Sequence, residues 1–164
     1  MKQQAVIFDI DGTLADVREY RWRYLEPETR IGGYKDMQSF HRESVNAQPH
    51  DWVAEDARRW HELGVTVLAA TARKAMWRNQ TAMWLDLNNI PSHRLYMRGD
   101  HDNRFDVDVK RDMLELIRFE FDIVHAYDDN PSIIELWESE GIPVTIVPGW
   151  GDLPSSTLVG RQAH

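Results

Sequence analysis

Short apolar runs recur along the chain at Ala5–Phe8, Val65–Ala70, Arg94–Met97, Ile123–Tyr127 and Val144–Val147. Their length and the turn-forming residues around them predict strands. Between the runs, apolar residues return at helical spacing. Residues 51–63 carry Trp52, Val53, Ala57, Trp60 and Leu63 and stop at Gly64. Residues 75–88 carry Met76, Trp77, Met83, Trp84 and Leu87, and residues 107–120 carry Val109, Met113, Leu116, Ile117 and Phe119. A further helix is predicted over 131–140, with Asn130 as cap, Pro131 in the first turn and Gly141 at the end. Strands and helices alternating at these lengths predict an α/β fold, a parallel sheet covered on both faces.

Residues 18–47 break the rhythm, with Pro27, Gly32, Gly33 and many charges. The stretch is too long for an ordinary connection and is read as a partly helical, cap-like insertion over the sheet's end. The tail after Gly149 is expected to wrap loosely. No repeat or low-complexity segment appears, and 164 residues fit one domain spanning 1–164.

Composition narrows the function classes. Cysteine is absent, which removes disulfides, thiolate zinc sites and a Cys nucleophile. No apolar run is long enough to span a membrane and the start lacks a signal-peptide core, so a cytoplasmic location is expected. A net charge of −8 argues against a broad, sequence-independent nucleic-acid surface, though not against a nucleotide or nucleic-acid end held by a few local cations.

Asp9-Ile10-Asp11-Gly12-Thr13-Leu14 directly follows the first strand. Alternation along a strand points Asp9 and Asp11 roughly the same way, and Gly12 lets the chain turn, with Thr13 expected to donate to the turn's backbone. Converged carboxylates are costly without a cation, a proton or a substrate, and they suit a magnesium-assisted attack with one Asp as nucleophile and the other passing protons. Thr71-Ala72-Arg73 ends the second strand, where Thr71 could cap a helix or bind a phosphate oxygen and Arg73 could add a bidentate contact. Lys110, alone a surface residue on a helix, could bridge an attacking carboxylate and a phosphoryl group. Asp128-Asp129 ends the fourth strand; one Asp could cap, whereas a pair there is better explained by a hard cation. All lie at carboxyl ends of strands, where open parallel sheets bind ligands.

In order, Asp9/Asp11, Thr71, Lys110 and Asp128/Asp129 resemble the four motifs of the haloacid dehalogenase (HAD) phosphatases, over residues 5 to about 150. The resemblance implies a three-layer α/β/α Rossmann-like fold and an aspartyl-phosphate formed on Asp9. It implies Asp11 as acid and then base, and Thr71 and Lys110 on the phosphoryl oxygens. Mg2+ would be held by Asp9, the Asp11 carbonyl and Asp128, with Asp129 steadying the shell. Arg98 and Arg104, twelve and six residues before Lys110, and the run from Asp128 to Trp137 resemble the 3′-phosphatase domain of phage polynucleotide kinase. That likeness implies substrate-phosphate contacts from Arg73 and Arg98, with Arg104 doing the same or orienting its loop. The other reading of Arg98 and Arg104 is a solvated loop balancing Asp100, Asp102, Asp106 and Asp108. Where that family has an Arg, this chain has Tyr20, and Arg18, Arg21 or Arg23 could substitute. No P-loop motif is present, so a 5′-kinase would have to reside elsewhere.

The seven histidines show no metal-ligand spacing, and His125 is expected in the core. Most tryptophans are expected to pack, whereas Tyr20 and Trp22 in the insertion are candidates to stack on a base. The sequence thus predicts an Mg2+-dependent phosphomonoesterase acting on 3′-phosphates of nucleic-acid ends or nucleotides. The alternatives are a small-molecule phosphatase such as a 5′-nucleotidase and, less favoured, a non-catalytic binding module on the same fold.

Overall fold

The computed structural model describes residues 1–26 and 35–152. The five predicted strands form one parallel sheet in the order β3-β2-β1-β4-β5. They are β1 (Gln3–Phe8), β2 (Thr66–Lys74), β3 (Arg94–Arg98), β4 (Phe121–Asp128) and β5 (Val144–Ile146). Strand β1 is central, pairing Ala5–Phe8 with Thr66–Ala69 on one side and Gln3–Phe8 with Phe121–Tyr127 on the other. The chain builds outward from β1 through β2 and β3, then returns to add β4. The carboxyl ends of β1 and β4 therefore flank the switch point where such sheets leave a crevice.

Side-chain alternation along β1 and β2 feeds two cores. Val6, Phe8, Val67 and Ala69 face one layer, with Val53, Ala54 and Ala57 of α3 (Asp51–Glu62) and Trp84 and Leu85 of α4 (Arg78–Leu87). Ala5, Ile7, Leu68 and Ala70 face the other. There they meet Val109, Met113, Leu114 and Ile117 of α5 (Asp106–Glu120) and Ile133, Leu136 and Trp137 of α6 (Pro131–Ser139). Burial on both faces explains why the strands read as continuous apolar runs.

Helix interiors were less legible. Trp52, Leu63, Met76, Met83, Leu87, Leu116 and Phe119 are all exposed, and small residues such as Ala54 and Ala57 make the contact instead. The expected 75–88 helix is a 3-10 turn at Ala75–Trp77 followed by α4. Strand β2 continues past the expected end at Ala70 to Lys74, with its register against β3 shifting between Thr71 and Lys74.

The insertion is partly helical, as expected, with α1 (Arg18–Tyr24) and α2 (Met37–Ser44). Pro27, Gly32 and Gly33 lie outside the described residues, as does the tail from 153 onward. Helix α2 opens on Asp36, whose carboxylate accepts from the Ser39 N–H at 2.9 Å, and it buries Phe40, His41 and Ser44. No helix among the described residues is long and apolar enough to cross a membrane.

Candidate active site

The loop after β1 shapes the site. Ala15 N–H donates to Ile10 O and Gly12 N–H to Ala15 O, both at 2.8 Å. His50 Nδ1 pins Thr13 O at 2.8 Å. Gly12 sits at φ +90, and a Cβ there would lie 2.0 Å from Asp129 Oδ2 and 2.8 Å from Arg21 Nη1. Glycine thus serves both a left-handed turn and the close approach of a carboxylate. Thr13, expected to donate to its own turn, instead directs its hydroxyl to Asp9 Oδ2 and Asp129 Oδ1, both at 3.3 Å. The turn's backbone is already satisfied by Ala15, and two buried carboxylates are stronger acceptors.

Asp9, at the end of the buried β1, accepts from Lys110 Nζ at 2.8 Å. Lys110 rises from the first turns of α5, is only 2 % exposed and also reaches Asp128 Oδ2 at 2.8 Å. It is a buried cation between two carboxylates, not a solvated surface lysine. Asp128 is fastened further by the Asn130 N–H at 3.1 Å and the Trp137 indole N–H at 3.2 Å. Capping of α6 falls to Asn130, whose side chain accepts from Ser132 N–H, which leaves both aspartates free of that duty. Oxygens of Asp9, Asp128 and Asp129 lie within 4.8 Å of one another, and this all-oxygen group could hold a divalent metal.

Asp11 and Arg73 form the second half. Arg73 is 1 % exposed and grips Asp11 with two bonds, Nε to Oδ2 at 2.8 Å and Nη2 to Oδ1 at 2.5 Å. Its Nη2 also reaches Ser44 Oγ of α2 at 3.2 Å. The extension of β2 carries this pair into the site. For the same reason Thr71 caps no helix: it is buried, and its hydroxyl accepts from Arg73 N–H at 3.2 Å.

Of the three arginines near Tyr20, Arg21 enters the site. Its Nη1 donates to Asp129 Oδ2 and its Nη2 to Asp11 O, both at 2.8 Å, and its guanidinium lies 4.6 Å from the Trp150 ring centre. Arg18 pairs with Asp16, and Arg23 with Glu19. Arg98 lines the cavity with its guanidinium spent on Ala72 O, Asp102 O, Arg104 O and Asp106. Arg104 is exposed and paired with Asp102 and Asp112.

Electrostatics divide the carboxylates. Burial pushes Asp9 up to about 7, with Lys110 opposing and Asp128 adding. Asp128 is raised by burial as well, and Asp129 is pushed by burial to about 6 against the pull of Arg21. Asp11 goes the other way: burial opposes it, but the Arg73 guanidinium holds its carboxyl below the usual range. Burial would lower Lys110, yet Asp128 and Asp9 hold it charged.

These groups line a cavity of about 790 Å³ at the carboxyl end of the sheet, to whose lining α1 and α2 also contribute. Its aromatic lining is Phe40, Trp77 and Trp150. Tyr20 and Trp22 lie outside it, and Tyr20 packs on the core. His41 of α2, passed over in the sequence, lines the cavity at 7 % exposure, and its Nδ1 has no hydrogen-bond partner among the described residues. His125 is half-buried on β4, bonded to Thr145 Oγ1 at 2.7 Å.

Comparison with known proteins agrees with this geometry. The family model for the polynucleotide kinase PNKP phosphatase domain matches residues 3–149. A protein of Halalkalibacterium halodurans bearing the name nucleotidase is 25% identical over 159 residues, which is 96% of this chain and 70% of that one. A chain in the Pnkp1/Rnl/Hen1 complex superposes with a TM-score of 0.73 at 23% identity over 89% of this chain. This chain spans 45% of that one, less than half its length. The class C acid phosphatase of Bacillus anthracis, solved with tungstate, gives 0.69 at 16% identity over 90% of this chain and 67% of its own. The chain belongs to the family of the polynucleotide kinase PNKP phosphatase domain, within the HAD phosphatases.

Proposed function

We propose that this protein hydrolyses phosphomonoesters with Mg2+, through a phosphoryl group carried on Asp9, and that its substrates are 3′-phosphates of nucleic-acid ends or nucleotides. The observation that carries the reading is the meeting of Asp9, Asp128 and Asp129 around Lys110 at the switch point. When all four carboxylates (Asp9, Asp11, Asp128, Asp129) are ionised they face three cations (Lys110, Arg73, Arg21), an excess of one negative charge that a bound cation would offset. Oxygen donors without sulfur or imidazole fit a hard ion such as magnesium, held by Asp9, Asp128 and the Asp11 carbonyl with Asp129 behind. Bound there, the ion would neutralise charge developing on the phosphoryl oxygens.

Asp9 attacks phosphorus as the ester P–O bond breaks, and the leaving oxygen takes a proton from Asp11. Water then attacks the acyl phosphate, giving its proton to Asp11 and freeing Asp9 and phosphate. The grip of Arg73 keeps Asp11 ionised at rest, as the second step requires. An incoming phosphate dianion competes for Arg73, which loosens that grip and lets Asp11 take from solvent the proton that the first step needs; the proton gained from water in the second step returns to solvent. Thr71 and Lys110 face the phosphoryl oxygens, while Arg98 and Arg104 brace the loop before α5. Phosphomonoester hydrolysis is so slow uncatalysed, with enzymatic accelerations of up to ~10²¹, that nucleophile, acid, cations and metal are all needed.

A second reading, a nucleotidase for mononucleotides, is favoured by the name of the H. halodurans relative and by the net charge of −8. A matched pair of oligonucleotides, one 3′- and one 5′-phosphorylated, run beside 3′- and 5′-mononucleotides with Mg2+, separates the two. Phosphate release from 3′-ends alone supports the end phosphatase. Equal or faster release from 5′-mononucleotides overturns the 3′ assignment in favour of the nucleotidase.

A further inference from the structure

Helix α2 brings to the cavity lining a buried ring nitrogen, His41 Nδ1, that the chemistry above does not use. His41 stands one turn before Ser44, which meets Arg73, and its ring is close enough to feel the charges of both Asp11 and Arg73. It is wedged edge-on against Phe40 (ring centres 5.1 Å apart) and tilted toward Trp77 at 6.4 Å. These neighbours fix the ring while leaving Nδ1 with nothing to bond among the described residues. A buried ring nitrogen without a partner weakens a fold and is tolerated where a ligand completes it. The position is specific as well. Asp9, Lys110 and Asp128 come from the ends of β1 and β4 and from α5, whereas His41 comes to the same cavity from α2 of the segment between β1 and β2. Beside it Met37, Phe40, Met76 and Trp77 form an apolar wall with Met37 and Met76 exposed.

We propose that His41 Nδ1 hydrogen-bonds a sugar hydroxyl or ring oxygen of the leaving group while the adjoining wall takes the flat base, so that this subsite selects nucleosides over other phosphate esters. The inference rests on the phosphatase reading above and concerns its substrate choice. His41 determines specificity and transfers no proton; either tautomer can serve, donating to a ring oxygen or accepting from a hydroxyl. A site built to pair a substrate hydroxyl discriminates against esters that lack it.

The test compares adenosine 3′-monophosphate with p-nitrophenyl phosphate, whose leaving group is flat but offers no sugar atom. His41→Ala should lower kcat/KM for the nucleotide about tenfold or more, chiefly through KM, and leave the aryl phosphate within about twofold. His41→Asn, whose amide occupies nearly the place of Nδ1, should recover most of the loss. Equal loss on both substrates, no loss on either, or an Asn variant as poor as Ala would overturn the proposal. A wild-type protein that hydrolyses the aryl ester but not the nucleotide overturns it too, leaving the phosphatase intact. Failure on both substrates removes the function and this subsite together.

Discussion

Asp9 directly follows the buried end of β1 and is itself buried, and its carboxyl is pushed up to about 7 by that burial. A carboxyl that holds its proton more tightly folded than unfolded adds stability below its unfolded value near 4, and that stability is lost as pH rises through 7. Asp129, raised to about 6, acts in the same sense, whereas the depressed Asp11 acts only below its ordinary value near 4. The metal-free protein should therefore melt higher at pH 5 than at pH 8. Asp9→Asn should raise its Tm at pH 8 by a few degrees and flatten the slope. A metal-free wild type that is most stable at pH 8 would contradict this. At Gly12 the issue is space. Gly12→Ala drives a methyl into Asp129 and Arg21 and should weaken Mg2+ binding by calorimetry about tenfold or more. Unchanged affinity would show that Asp129 has no part in holding the ion.

Between elements, α6 contributes more than packing. Trp137→Phe keeps most of the buried ring but removes the indole donor to Asp128. That should lower metal affinity several-fold at a stability cost of about 1 kcal/mol, and unchanged affinity would make Trp137 a packing residue only. Helix α1 explains what was and was not legible. Asp9 and Asp128 could be read because each adjoins an apolar strand that fixes where it emerges, whereas Lys110, on a charged helix turn, was legible only through the family resemblance. The choice among Arg18, Arg21 and Arg23 could not be read, because what singles out Arg21 is its bond to Asp129, 108 residues away. Helical spacing offered one signal: Arg21 lies four residues after the buried Val17, so it points inward. Arg21→Ala should cut kcat/KM about tenfold or more while Arg18→Ala leaves it within about twofold; equal losses would contradict the assignment. The span of β2 was misjudged at Thr71 because a register shift against β3 leaves no mark in composition.

Across the whole molecule, a net charge of −8 leaves the site's cations as a local island. Contacts confined to one terminal phosphate release few counterions. The binding of a 3′-phosphorylated oligonucleotide should thus fall with salt by a log–log slope no steeper than about −2, at ~0.7 per neutralised phosphate on a single strand. A slope several times steeper would reveal a tract of phosphate contacts along the strand. The proposed hydrolysis depends on Asp9 and on a bound Mg2+. Phosphate release from a 3′-phosphorylated oligonucleotide or nucleotide, measured with and without Mg2+ for wild type and Asp9→Asn, should show turnover only for wild type with the ion. The variant should fall by about a thousandfold or more while remaining folded. Turnover that survives in Asp9→Asn, or that ignores the chelation of Mg2+, would contradict the account at its centre.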